Sequence, residues 1–379
     1  MLIDKSPFFR VLKNDPQSAA RTGEITTQHG TILTPAFMPV GTRGSVKAVD
    51  PTDLLKCGSQ IVLANAYHLT QRPGLETLRL FGGLHKFMGW SGPILTDSGG
   101  YQVFSLAALR KIEPEGVTFH SPYDGSVTFF SPQSVVAAQT VIGSDIMMCL
   151  DECPPYPADY APVAKSLALT LDWAAKSRAA WDPNSGQALF GIVQGGFYPD
   201  LRAQAAAAIA AMDFPGHSLG GLALGEPEAE RLQAIETARE ILPKDKPLYL
   251  MGLGTPNDLI QGVLRGADLF DCVLPTRNAR NGQLFTRFGR LNLLNSRHKE
   301  DPNPPDPACQ CLTCQTFSRA YLRHLLKNRE PLFSRLATIH NLTYYHDLLA
   351  GVRSAIKTET LAQYVLDFYA AQKAQDSPD

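Results

Sequence analysis

Eight strand-length apolar runs recur along the chain, and most are followed by an amphipathic segment. They are Pro35–Val40, Ile61–Tyr67, Ile94–Ser98, Ile146–Glu152, Leu189–Gly196, Ser218–Leu224, Leu248–Gly254 and Leu269–Pro275. Met147-Met148-Cys149-Leu150 is continuously apolar, as expected of a strand covered on both faces. Segments 131–142, 158–181, 199–212, 226–242 and 256–267 read as helices, the first with Ser131 as N-cap and Pro132 in the first turn. Strands alternating with helices build parallel βαβ units, and eight of them predict an α/β fold of the closed (β/α)8, or TIM-barrel, class. An open doubly wound sheet is the competing solution to the same alternation.

A single barrel domain spanning 1–379 can bury a large core without disulfides. The chain is 44% hydrophobic and 19% charged, which is too apolar for wholesale disorder. Its net charge of −1 excludes an acidic tail protein but not a local basic patch. No basic stretch followed by an apolar run opens the sequence, and no run approaches the roughly 18 residues of a membrane span, so a cytoplasmic protein with no membrane partner is expected. Two segments break the alternation. Residues 101–130 read as a hairpin excursion turning at Ser121-Pro122-Tyr123-Asp124-Gly125. Residues 300–317, rich in Pro and Cys, open a separate module, placed at 300–349 as an inserted zinc-binding subdomain. The end from Gln372 is expected to fray.

Barrel chemistry sits at the carboxyl ends of the strands. Three aspartates fall there, Asp97, Asp151 and Asp271, where burial is costly unless the acid is paired or used. Any one of them alone could simply cap a helix or loop. Together, beside glycine pairs at 99–100, 195–196 and 220–221, they suggest a site. Two carboxylates flanking a sugar are the double-displacement arrangement, in which one attacks and the other handles protons. The glycines let backbone approach a flat ligand and offer N–H donors. Asp151 and Gln194 suit the edge of a purine, and Tyr101 and Met251 could sandwich its ring or merely pack in the core.

Cys309-x-Cys311-x-x-Cys314 is followed by a helical stretch and then His340. Three thiolates and one imidazole form a closed tetrahedral zinc site of the structural kind. His340 is the preferred fourth ligand, although His324 and His346 are also near in sequence. The seven cysteines are an odd number, and this grouping fits a reduced compartment better than a disulfide framework. From Cys272 to Lys299 there is no acid, while Arg277, Arg280, Arg287, Arg290, Arg297 and Lys299 all appear. A positive strip beginning at the mouth of a barrel suggests a polyanionic substrate. A site that attacks a sugar while reading a base implies an everted nucleotide.

Thr96-Asp97-Ser98-Gly99-Gly100-Tyr101-Gln102, Asp151-Glu152-Cys153-Pro154, Gly191–Gly196, Gly220-Gly221-Leu222, Asp271–Arg277, Arg280-Asn281-Gly282 and the Cys309/Cys311/Cys314/His340 set occur in this order. In this combination the chain, from about Phe8 to near residue 370, resembles the bacterial tRNA-guanine transglycosylases. The resemblance implies exchange of guanine at the anticodon wobble position of tRNA for 7-aminomethyl-7-deazaguanine, in queuosine biosynthesis. Asp271 would be the nucleophile on C1′, giving a covalent enzyme–RNA intermediate, and Asp97 the general acid/base. Asp151, Gln194 and the Gly221 amide would read the purine edge beside Ser98, the Leu222 carbonyl would accept from the aminomethyl group, and Tyr101 and Met251 would hold the ring. Arg277 and Arg280 would contact flanking bases. A homodimer with one structural zinc per subunit is implied, and no redox or nucleotide cofactor. Where the bacterial pattern has Val, this chain has Leu224, while relatives that take bulky queuine carry Gly there. Leu224 and Cys153 would wall the pocket and favour the smaller base.

Three rival readings compete for the same residues. A metal-dependent barrel hydrolase needs several rim ligands, and the rim offers only an isolated His68. A non-catalytic RNA-binding subunit of the same fold should lack one of the acids, yet Asp97 and Asp271 are both present. Archaeal relatives that exchange a base elsewhere in tRNA carry further RNA-binding domains, which are not expected in a chain of this length.

Overall fold

The computed structural model describes residues 8–100, 110–121 and 125–373. Eight parallel strands form the barrel: β1 (Ala36–Pro39), β2 (Val62–Asn65), β3 (Ile94–Asp97), β4 (Ile146–Met148), β5 (Ala188–Val193), β6 (Gly216–Leu219), β7 (Leu248–Leu250) and β8 (Leu269–Cys272). Each pairs with its successor from β2 to β8, and β8 pairs with β1. A parallel bridge between Val40 and Leu63, with the Gly41 N–H donating to the Leu63 carbonyl at 2.6 Å, joins β1 to β2. The sheet is therefore closed, which removes the open doubly wound alternative. The strands are buried almost throughout because helices cover them, and this is why the sequence runs are continuously apolar.

The helices expected between strands form at Pro132–Ile142, Tyr160–Ala180, Pro199–Ala211, Glu228–Ile241 and Pro256–Leu264. Ser131 and Ser134 cap the first reciprocally, and Thr255 and Asp258 do the same for the last. The excursion after β3 is an antiparallel sheet of Arg110–Glu113, Gly116–His120 and Val127–Phe130. Pro122, Tyr123 and Asp124 of its turn lie outside the described residues.

An antiparallel meander at Phe9–Asn14, Arg21–Thr27 and Gly30–Thr34 was not anticipated. It covers the amino ends of the strands. Ile25 and Ile32 are fully buried, and Phe8 meets Phe190 of β5 edge-on with ring centroids 5.9 Å apart. Arg21 grips Asp268 with two hydrogen bonds of 3.0 and 2.6 Å, and Asp268 also accepts from the Leu248 N–H at 2.8 Å. Beyond β8, the hairpin Gln283–Thr286/Gly289–Asn292 and the helices Leu312–Thr316, Arg319–Lys327 and Pro331–Lys357 enclose a second small core around Leu284, Leu322 and Leu336. The final helix, Leu361–Lys373, runs past the expected point of fraying, and the Gln372 amide donates to the Arg287 carbonyl at 3.2 Å. No helix among the described residues is long and apolar enough to cross a membrane.

Candidate active site

Strand register assembles the acids. In the β2–β3 ladder Asn65 lies opposite Asp97, and the Asn65 Nδ2 donates to Asp97 Oδ2 at 3.0 Å. Asp271 sits on β8, where its Oδ1 accepts from the Tyr249 hydroxyl and the Gly252 N–H, both at 2.7 Å. Its Oδ2 accepts no hydrogen bond among the described residues. Asp151 follows β4, and its Oδ2 accepts from Gln194 Nε2 at 2.7 Å. Gly100 is required here, because a Cβ at that position would strike the Asp151 carboxylate. All three carboxyls line one cavity of about 710 Å³ at the carboxyl ends of the strands.

No Lys, Arg or His forms an ion pair with any of the three among the described residues. Burial pushes Asp97 up to about 7, and repulsion from Asp151 and Asp271 adds to it. Burial likewise raises Asp151 to about 6, opposed by the hydrogen bond from Gln194. Asp271 is also raised by burial, against the Gly252 and Tyr249 donors. The Tyr249 hydroxyl is itself raised well above its ordinary value by burial and by Asp271, so it remains a donor.

Cys153, Gln194, Gly221, Leu222, Leu224, Met251 and Arg277 line the same cavity. Burial pushes the Cys153 thiol up to about 12, so it stands there as a neutral, weakly polar wall. Ser98 is not in the lining. It is fully buried, and its Oγ accepts from the Gly100 N–H at 3.3 Å, which makes it a support for the loop. Arg280 is also outside the lining, with its guanidinium donating to the Thr276 carbonyl at 2.9 Å. Tyr101 lies outside the described residues.

Several residues of the site were missed in the sequence. Asn65 and Tyr249 orient the two acids, but a tyrosine inside an apolar strand carries no local signal. Glu226 accepts from the Ala223 and Leu224 N–H groups at 2.8 and 2.7 Å and pairs with Arg231, which also reaches Asp258. That carboxylate holds the cavity-lining loop after β6 in a conformation with Ala223 at φ 60°, unusual for a residue other than glycine. Its sequence signal is an acid immediately after a glycine-rich strand end.

The Sγ atoms of Cys309, Cys311 and Cys314 and a ring nitrogen of His340 lie within 4.8 Å of one another, and all four residues are buried. His340 Nδ1 is 3.2 Å from Cys314 Sγ and 3.7 Å from Cys311 Sγ. A tetrahedral ion with bonds of about 2.3 Å to sulfur and 2.0 Å to nitrogen needs donors roughly 3.5 Å apart, so the set fits a metal ion. Nε2 of His340 lies 2.8 Å from the Phe285 carbonyl. That contact fixes the proton on Nε2 and leaves the Nδ1 lone pair facing the thiols. His324 is exposed and His346 hydrogen-bonds Ser59 at 2.8 Å, so neither belongs to the group. A second group, His29, His85 and Asp145, lies at the amino end of the barrel. Its two rings stack 3.6 Å apart; His29 Nδ1 hydrogen-bonds one oxygen of the Asp145 carboxylate at 2.8 Å, and His85 Nε2 lies 3.2 Å from the other.

The sequence model of the queuine tRNA-ribosyltransferase family matches residues 15–374. A protein of Acidithiobacillus ferrooxidans named queuine tRNA-ribosyltransferase is 53% identical over 366 residues, covering 97% of this chain and 98% of its own. Proteins of the same name from Thermoanaerobacter pseudethanolicus and Solidesulfovibrio magneticus are 52% and 55% identical, covering 95% and 91% of this chain and 96% and 93% of their own. With this match over nearly its whole length, and with the acids and the Cys/His group of the resemblance gathered in one fold, the chain belongs to the queuine tRNA-ribosyltransferase family.

Proposed function

We propose that the chain is a tRNA-guanine transglycosylase, a pentosyltransferase that replaces guanine at the anticodon wobble position with 7-aminomethyl-7-deazaguanine in queuosine biosynthesis. The observation that carries this reading is the convergence of Asp97, Asp151 and Asp271, none ion-paired among the described residues, on one cavity. An everted nucleotide would place its base against Asp151, Gln194, Gly221 and Leu222 and its ribose between Asp97 and Asp271. The free Oδ2 of Asp271 attacks C1′ while Tyr249 and Gly252 hold Oδ1. The C1′–N9 bond breaks, its electron pair passes to the purine, and the Asp97 carboxyl supplies a proton. A group raised to about 7 can donate at neutral pH and accept afterwards. The incoming base gives its N9 proton to Asp97 and attacks C1′, releasing Asp271. One glycosidic bond replaces another, so no nucleotide cofactor is required.

Cys309, Cys311, Cys314 and His340 would hold zinc, whose four protein ligands leave no open position, so its contribution is to folding of the 300–349 module. The exposed Arg287, Arg290, Arg297 and Lys299, together with Arg277 and Arg280, suit the tRNA backbone and flanking bases. Leu224 and Cys153 restrict the pocket to the smaller deazaguanine. A homodimer is the proposed assembly. Incubation with anticodon stem–loop RNA and labelled guanine tests the reading. The wild type incorporates label, and failure to do so on a wobble-guanine substrate would refute it.

A further inference from the structure

Arg202 is fully buried on the helix Pro199–Ala211, directly behind the wall that faces the base. Among the described residues no carboxylate pairs with it. Its Nη1 donates to the Val193 and Gly220 carbonyls at 2.9 and 3.1 Å, and its Nη2 to the Gly196 carbonyl. Those carbonyls belong to the ends of β5 and β6, the two loops that carry Gln194 and Gly221. Burying a cation without a counter-ion is expensive, and holding two loops together could be done by a neutral amide. Burial lowers its pKa only to about 10, so the group stays charged at neutral pH.

The Gly220 carbonyl and the Gly221 N–H belong to one planar trans peptide and point in opposite directions. Arg202 occupies the carbonyl side, so the N–H is turned toward the cavity that Gly221 lines. Among the described residues that N–H has no partner. Gly221 adopts φ +72°, and a Cβ there would lie 2.7 Å from Gln194 Oε1, so the peptide can hold this pose only with glycine. We propose that Arg202 is a positioning residue for purine recognition, whose guanidinium holds the Gly220 carbonyl and thereby aims and polarises the Gly221 N–H toward the 6-oxo group of the bound base. This rests on the base-exchange reading above. When the C1′–N9 bond breaks, the electron pair left on the purine spreads into the ring and its 6-oxo oxygen. A donor backed by a cation through a shared peptide strengthens as that charge develops.

The test compares guanine with 6-thioguanine, which keeps N1–H and the 2-amino group and replaces the 6-oxo oxygen by sulfur, a poorer acceptor. Binding of each base to the full-length metal-loaded protein is measured for the wild type, Arg202→Gln and Arg202→Lys, with circular dichroism and metal content as controls of folding. Guanine should bind both variants about tenfold more weakly or worse, the range of one charge-assisted hydrogen bond, while 6-thioguanine changes less than about threefold. The Lys variant suffices where the Gln variant does not fold. Equal losses for both bases, or no loss for either, would overturn the proposal. Label exchange by the wild type separates that outcome from failure of the underlying reading.

Discussion

The two ends of the barrel treat buried acids in opposite ways. At the amino end Asp268 is fully buried and meets Arg21 in two hydrogen bonds, while Asp145 is contacted by two histidines and the Ile94 N–H. At the carboxyl end Asp151 is buried and Asp97 and Asp271 are half-buried at the cavity, and among the described residues the three have only amide, hydroxyl and backbone donors. At the amino end, partners hold Asp145 below the usual carboxylate range. At the carboxyl end, burial holds all three above it, and repulsion from Asp151 and Asp271 raises Asp97 further. The first arrangement stabilises the fold, and the second, on the proposed base-exchange reading, lets Asp97 hold and release a proton near neutral pH.

The largest expected effect lies at neither end. Stripping the Cys/His metal with a chelator, or Cys314→Ser, should cost on the order of 10 kcal/mol of module folding and reduce thermal stability without altering the rim acids. Retention of the wild-type melting temperature after metal loss would show that the group is not structural. Next, Arg21→Ala leaves Asp268 buried without its cation and should cost about 3–5 kcal/mol, with kcat per folded molecule unchanged. A selective fall in kcat would break the division between the ends.

Asp97→Asn should act in the reverse sense. The folded state holds the Asp97 proton more tightly than the unfolded chain, so the wild type loses stability as pH rises from about 4 through about 7. Removing the charge should stabilise the protein by up to about 4 kcal/mol at pH 8 and by under about 2 at pH 5, while exchange falls roughly 10²–10⁴-fold. Urea unfolding at the two pH values checks the sign, and an equal shift at both would contradict it. In the wild type, formation of the RNA adduct should decline above pH about 7 as Asp97 loses its proton, and that limb should vanish in Asp97→Asn. The smallest change is Leu224→Gly, which should improve use of queuine relative to the aminomethyl base by about 10-fold or more. An unchanged ratio would locate selectivity elsewhere.

Much of this contrast was legible beforehand because barrel strands announce themselves. Continuous apolar runs ending in Asp97, Asp151 or Asp271 place an acid at a strand mouth whatever the details of packing. The metal group was legible because three of its donors fall within six residues, Cys309 to Cys314. The partners that set each acid's behaviour were not. Asn65 reaches Asp97 through strand register, and Tyr249 reaches Asp271 from the neighbouring strand. Such pairs depend on which residues lie side by side in the closed sheet, which no local pattern encodes. The amino-end meander was missed for a related reason, since its first and last strands alternate buried with exposed residues and lack the continuous apolar signature. Ser98, inside the same motif as Asp97, is fully buried and accepts from the Gly100 N–H, a placement its motif position does not announce.

The most direct measurement of the central idea is to incubate the protein with anticodon stem–loop RNA, denature it, and locate any RNA-linked peptide by mass spectrometry. The account predicts an adduct on the peptide carrying Asp271, abolished in Asp271→Ala and retained by Arg21→Ala. An adduct that persists in Asp271→Ala, or that maps to Asp97, would contradict it.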